Sequence, residues 1–222
     1  MRRNFKTAIV GATLALTALG NAAWAHPHVW VTYAAVIAYD KEAVTAIDHV
    51  WTFDEMYTAM AIEGLDKNND GIYDRNELAE LAQTNMDGLK DFDYFTFAKA
   101  GKNEVKFGPP QDYWLEYTGG ILKLRFRLPL VQPLPASAGP LTVSIFDPSF
   151  FIAFDPEKTD PVKLAAGAPK SCTAAFLEPK TGADADALKA QLLNDSFAQQ
   201  LGQTMNIGSE FTKTIRVSCA KS

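Results

Sequence analysis

Two stretches of this chain place side chains at spacings suited to metal ions. The first is His26-Pro27-His28, which follows an apolar segment ending in Ala23-Trp24-Ala25 and holds two of the chain's three histidines. Cleavage after Ala25 would set a free α-amino group beside two imidazoles. These are neutral nitrogen donors of the kind that zinc, nickel and copper accept. The amino-terminal copper/nickel chelate with histidine in third place is excluded, because it needs a deprotonated amide at residue two and Pro27 has no N–H to lose. A site built on the terminal amine, His26 and His28 stays open, beside a frayed terminus that binds nothing.

The second stretch is Asp66-Lys67-Asn68-Asn69-Asp70-Gly71-Ile72-Tyr73-Asp74-Arg75-Asn76-Glu77. It matches the twelve-residue EF-hand loop at each ligand position. Asp66, Asn68 and Asp70 would supply side-chain oxygens, Ile72 its carbonyl, Asp74 a water-mediated contact and Glu77 a bidentate carboxylate. Gly71 stands where that loop turns sharply with positive φ. Tyr73 departs from the usual Ile, Leu or Val, and no second loop is present for it to pair with. We therefore expect a calcium staple with affinity on the order of 10⁻⁴ M and no signalling switch.

The elements that must position these groups are legible in part. Residues 28–39 and 44–53 read as a β-hairpin turning at Asp40-Lys41-Glu42. Residues 56–65 and 76–89 read as helices flanking the loop, within an insertion over about 54–92. Strands are expected over 95–100, 104–107, 112–117, 122–128, 141–145, 150–154 and 212–219, with a Pro-rich surface loop over 133–140 and a last helix over 184–201. The fold expectation is α+β: an antiparallel β-rich domain with a helical EF-hand-like insertion and a C-terminal helix.

A tight hairpin pairs Tyr39 with Val44, hence His49 with Ala34, and sets His28 facing Glu55. His49 is then too far from His28 to share a ligand, since six strand residues span roughly 20 Å. The same register carries Asp54 and Glu55 towards the His-Pro-His end, where one carboxylate would complete a mixed nitrogen/oxygen site. Asp54 is equally suited to capping the helix it precedes.

Arg2, Arg3 and Lys6, the apolar residues 7–19, and Ala23 and Ala25 form the pattern of a cleaved export signal over 1–25. The route could be general secretion or, from Arg2-Arg3, twin-arginine export. Removing 25 of 222 residues leaves 197 in one domain (26–222), with no direct membrane insertion expected. Taking Arg2, Arg3 and Lys6 from 21 basic residues leaves 18 against 26 acidic ones, a net of −8 that disfavours nucleic acid. In an oxidising compartment Cys172 and Cys219 read as a structural disulfide.

His26-Pro27-His28-Val29-Trp30-Val31, Trp51-Thr52-Phe53-Asp54-Glu55, the calcium-type loop and Phe146-Asp147-Pro148-Ser149-Phe150-Phe151 occur in that order. In this order they resemble a domain-of-unknown-function family of bacterial periplasmic proteins. Its members are described as the periplasmic component of an ABC-type transport system, beside nickel/cobalt- or zinc-type permeases. The resemblance implies uptake or delivery of a divalent transition metal (zinc, nickel, cobalt or copper) with a membrane permease as partner, and it adds Asp147 to the candidate ligands. Asp147 before Pro148 is also ordinary turn chemistry.

The chain lacks a Gly-x-Ser-x-Gly elbow, a His-Glu-x-x-His helix and a phosphate-cradling glycine loop. The expectation is that it is no enzyme. The remaining enzymatic alternative is oxidative copper chemistry at His26. A third reading is a calcium-stabilised structural or interaction module with no transition metal.

Overall fold

The computed structural model describes residues 28–179, 209 and 212–220. The export-type segment, His26 and the expected helix over 184–201 lie outside the described residues.

The hairpin forms as expected. Strand β1 (Val29–Asp40) pairs antiparallel with β2 (Ala43–Phe53) through a two-residue turn in which Lys41 and Glu42 both have positive φ, 46° and 63°. That conformation matches the twist of the flanking strands, and here it is adopted without glycine. Tyr39 faces Val44, but the register shifts between Ala38 and Tyr39, where Thr45 is the extra residue on β2. His49 therefore opposes Ala35 instead of Ala34. A single bulged residue moves every later pair by one position.

After β2 come helix α1 (Glu55–Ala61) and helix α2 (Ala79–Leu89), then strands β3 (Thr96–Ala100), β4 (Asn103–Val105), β5 (Gln111–Thr118), β6 (Ile121–Pro135) and β7 (Leu141–Ile145). Strands β8 (Ile152–Pro156), β9 (Val162–Leu164), β10 (Cys172–Leu177) and β11 (Thr214–Cys219) follow. The expected helix over 56–65 closes at Ala61, and Gly64 then turns the chain with φ 75°. β6 runs on into the first three residues of the expected proline loop, 133–135, past the irregular pairing with β2 around Thr45.

Two sheets result. One has the order β5-β6-β2-β1-β8, with β9 also pairing β1; the other is β10-β11-β7-β3-β4. The second sheet is antiparallel throughout. The first is mixed, correcting the antiparallel expectation: β8 and β9 lie parallel to β1 along its free edge. The cause is topological. The chain leaves β7 in the second sheet, crosses through 146–151, and enters the first sheet running with β1.

Alternation drives the packing. Val29, Val31, Tyr33, Ala35 and Ile37 of β1 are buried, as are Leu122, Leu124, Phe126, Leu128 and Leu130 of β6. They join Trp51, Phe95, Val143, Ile145, Ile215 and Val217 in one core fed by both sheets. On the opposite face of the first sheet Arg127 pairs with Asp48 and Arg125 with Glu116. Cys172 and Cys219, directly opposed on β10 and β11, form the expected disulfide. The fold is β-rich α+β, and no described helix is long and apolar enough to cross a membrane.

Candidate metal sites

The loop over 66–77 hangs between α1 and α2 and is ordered by its own side chains. Asp66 Oδ2 accepts from the N–H of Gly71 at 3.0 Å, and its Oδ1 from Asp70 N at 3.2 Å. Asn68 Oδ1 accepts from Asp70 N at 2.9 Å, and Asp70 Oδ1 from Ile72 N at 2.7 Å. Gly71 has φ 76°, as the position demands of a residue without Cβ. Asp74 Oδ1 accepts from Asn76 N and Glu77 N, which starts the turn that leads into α2. Asp66, Asn68, Asp70, Asp74 and Glu77 thus each turn at least one side-chain oxygen towards the loop's own amides.

Glu77 holds the loop's two ends together. Its Oε1 accepts from Lys67 N at 2.9 Å and its Oε2 from Asp74 N at 3.1 Å, with the residue 8% exposed. Two backbone amides thus satisfy a carboxylate that is itself buried.

Tyr73, which in a paired EF-hand would meet a second loop, packs its ring on Tyr117 of β5 at 4.8 Å. Arg75 lies 4.5 Å over the ring of Trp114, also on β5. A β-sheet therefore supports this loop where a second loop would otherwise stand.

The start of β1 gathers the other candidates. Trp30 and Asp54 bind each other twice: Trp30 N donates to Asp54 Oδ2 at 2.9 Å, and Asp54 N donates to Trp30 O at 3.0 Å. Asp54 Oδ1 also accepts from Tyr57 N at 2.8 Å, capping α1. Glu55 is exposed in the first turn of that helix. His28 N donates to Phe151 O, and its ring lies 4.7 Å from that of Phe151. Asp147, 4% exposed, accepts from Ser149 N, Ser149 Oγ and Ile152 N. His28 and Asp147 are thus tied to the same short connector, 146–151, and Asp54 meets it through β1. Among the described residues no group of three or more His, Cys, Asp or Glu side chains stands as a ready-made metal cluster.

His49 belongs elsewhere. It is 1% exposed in the core, stacked on Phe126 at 4.5 Å, with neither ring nitrogen hydrogen-bonded. Burial pushes its pKa down to about 3, so the ring is neutral.

Sequence reasoning passed over a cleft of about 430 Å³ between the two helices and the 146–151 connector, lined by Tyr57, Phe92, Phe95, Asp147 and Phe151 among others. Asp147 and Phe151, both in the stretch from Phe146 to Phe151, were its visible signals in the sequence.

Comparison with known proteins adds kinship without chemistry. An uncharacterized protein of Haemophilus influenzae is 22% identical over 197 residues, covering 88% of this chain and 91% of that protein. An uncharacterized 15.5 kDa protein in the trpE 3′ region of Spirochaeta aurantia is 32% identical over 99 residues, 45% of this chain and 70% of that protein. A family profile matches residues 11–219, nearly the whole chain, and the protein therefore belongs to the family described as protein of unknown function (DUF1007).

Proposed function

We propose that this is a periplasmic metal-binding accessory protein, exported by a cleaved signal over 1–25, which delivers a divalent transition metal to a membrane permease. Calcium in the loop over 66–77 stabilises it. The observation that supports the calcium arm best is Glu77, a buried carboxylate that bridges both ends of a loop holding an oxygen donor at every EF-hand ligand position. Bound calcium would take over Glu77 and draw the loop oxygens inward.

The transition metal (zinc or nickel, with copper or cobalt as alternatives) would be held by the terminal amine, His26 and His28, with a carboxylate from Asp54, Glu55 or Asp147. The support is convergence: the start of β1, the cap of α1 and the 146–151 connector meet at one end of the first sheet. Calcium titration of wild type and Glu77→Gln tests the first arm. Zinc and nickel titrations of wild type and the His26→Ala/His28→Ala double variant test the second.

One observation favours a second reading, a calcium-stabilised interaction module without a transition metal. Both carboxylate oxygens of Asp54, and both of Asp147, already accept from neighbouring N–H or O–H groups. On that reading the double histidine variant leaves zinc and nickel titrations unchanged.

A further inference from the structure

The cleft between α1, α2 and the 146–151 connector has the makings of a ligand site. Its volume, about 430 Å³, falls in the ordinary range for small-molecule pockets. Four aromatic rings line it: Tyr57 from α1, Phe92 and Phe95 from the segment after α2, and Phe151 from the connector. Phe92 is 55% and Phe151 46% exposed, so these two rings are held at the surface and not in the core. Phe95 is buried and lies 5.3 Å from Phe92, ring to ring.

The charge is one-sided. Among the described residues Asp147 is the only ionisable acid or base lining the cleft apart from the Tyr57 phenol, and no lysine or arginine joins it. Its carboxylate is 4% exposed, and Oδ2 carries one hydrogen bond, from Ile152 N at 3.0 Å. A second acceptor direction on that oxygen is left for a donor. Aromatic faces beside a carboxylate attract one class of ligand above others, an organic cation.

The backbone at one of these rings, Phe95, and beside two others is held at a cost. Asp93, Tyr94 and Phe95 are consecutive residues with φ 52°, 51° and 47°, and Phe150 across the cleft has φ 59°. Non-glycine residues in this region carry strain, and aromatic ones are rare there. Gly88, in the last turn of α2, also borders the cleft, and a Cβ built on it meets no atom within 4 Å. Packing gives no reason for glycine at this helical position, where it lowers helix stability relative to alanine.

We propose that this cleft binds a small organic ammonium ion with an apolar body. The cationic head lies against Asp147 and the aromatic faces, and the body lies between Phe92, Phe95 and Phe151. This site is separate from the calcium loop and does not depend on it.

The test is calorimetry or ligand-observed NMR on the full mature protein, with calcium present and no transition metal added. The probes are 2-phenylethylammonium and its neutral counterpart 2-phenylethanol. A ligand of this size is expected to bind with Kd on the order of millimolar. The cation should bind roughly tenfold tighter than the alcohol. Gly88→Leu, which fills the cleft from an exposed helix position, should abolish binding of both probes without lowering the melting temperature. Asp147→Asn should erase the preference for the cation while leaving the alcohol bound. Equal binding of the two probes, no binding at about 10 mM, or unchanged binding in Gly88→Leu would each overturn the proposal.

Discussion

The carboxylate of Glu77 reaches back ten residues to accept the backbone N–H of Lys67 at 2.9 Å, closing the loop over 66–77 at its base. A group so placed is either a structural clasp or the bidentate ligand of a cation, and the two roles separate on mutation. Glu77→Gln keeps a side-chain oxygen for Lys67 N but loses the charge. We expect calcium to raise the melting temperature of wild type and to leave that of Glu77→Gln unchanged, measured by differential scanning calorimetry at millimolar calcium. The calcium-free stabilities of the two should differ by about 1 kcal/mol.

Asp54 offers a parallel test at the other site. It serves two amides, Trp30 N and Tyr57 N, and so ties the start of β1 to the cap of α1. Asp54→Ala should cost about 1–3 kcal/mol in urea unfolding, since it orphans both donors. Asp54→Asn should recover only part of that loss, because its amide has one acceptor oxygen for two N–H donors. If the asparagine variant also keeps full zinc affinity, Asp54 is a cap and no ligand.

The core histidine makes stability depend on acid. His49 titrates near 6.5 when unfolded and at about 3 in the folded protein, because burial without a partner disfavours the imidazolium. The unfolded chain therefore takes up a proton that the folded chain refuses. His49 costs no stability above pH 6.5; the cost grows as pH falls towards 3 and levels off below it, reaching a few kcal/mol. Chemical denaturation across pH 7 to 4 should show wild type losing stability faster than His49→Phe. Parallel curves for the two would contradict the assignment.

Cys172 and Cys219 close a loop over a sequence separation of 47 and pin β10 to β11 at the end of the second sheet. Reduction, or Cys172→Ser with Cys219→Ser, should remove up to about 4 kcal/mol on the chain-entropy estimate. Urea unfolding of the oxidised and the reduced protein measures that loss.

The parts of this fold that were legible in the sequence are those decided locally. The hairpin from Val29 to Phe53 announces itself by β-branched alternation, and β7 by Leu141, Val143 and Ile145. The loop over 66–77 is legible because its donor spacing and Gly71 are local too. What stayed hidden depends on distant pairing. β8 and β9 run parallel to β1 because the chain switches sheets at 146–151, and no short-range pattern encodes that crossing. β9 is three residues long, and β10 alternates around alanine and threonine, so neither stood out from its surroundings. The bulge at Thr45 moved His49 by one partner, yet its separation from His28 survived the shift. The aromatic cleft drew on four separate segments, and spacing alone could not assemble it.

The most direct test of the metal-handling account is metal analysis of the untagged protein, purified after expression of the full chain and then titrated. The account predicts stoichiometric calcium that Glu77→Gln removes, together with a zinc- or nickel-type ion that the His26→Ala/His28→Ala variant removes while calcium stays. Protein that takes up neither ion, or whose metal content is the same in both variants and wild type, would contradict it.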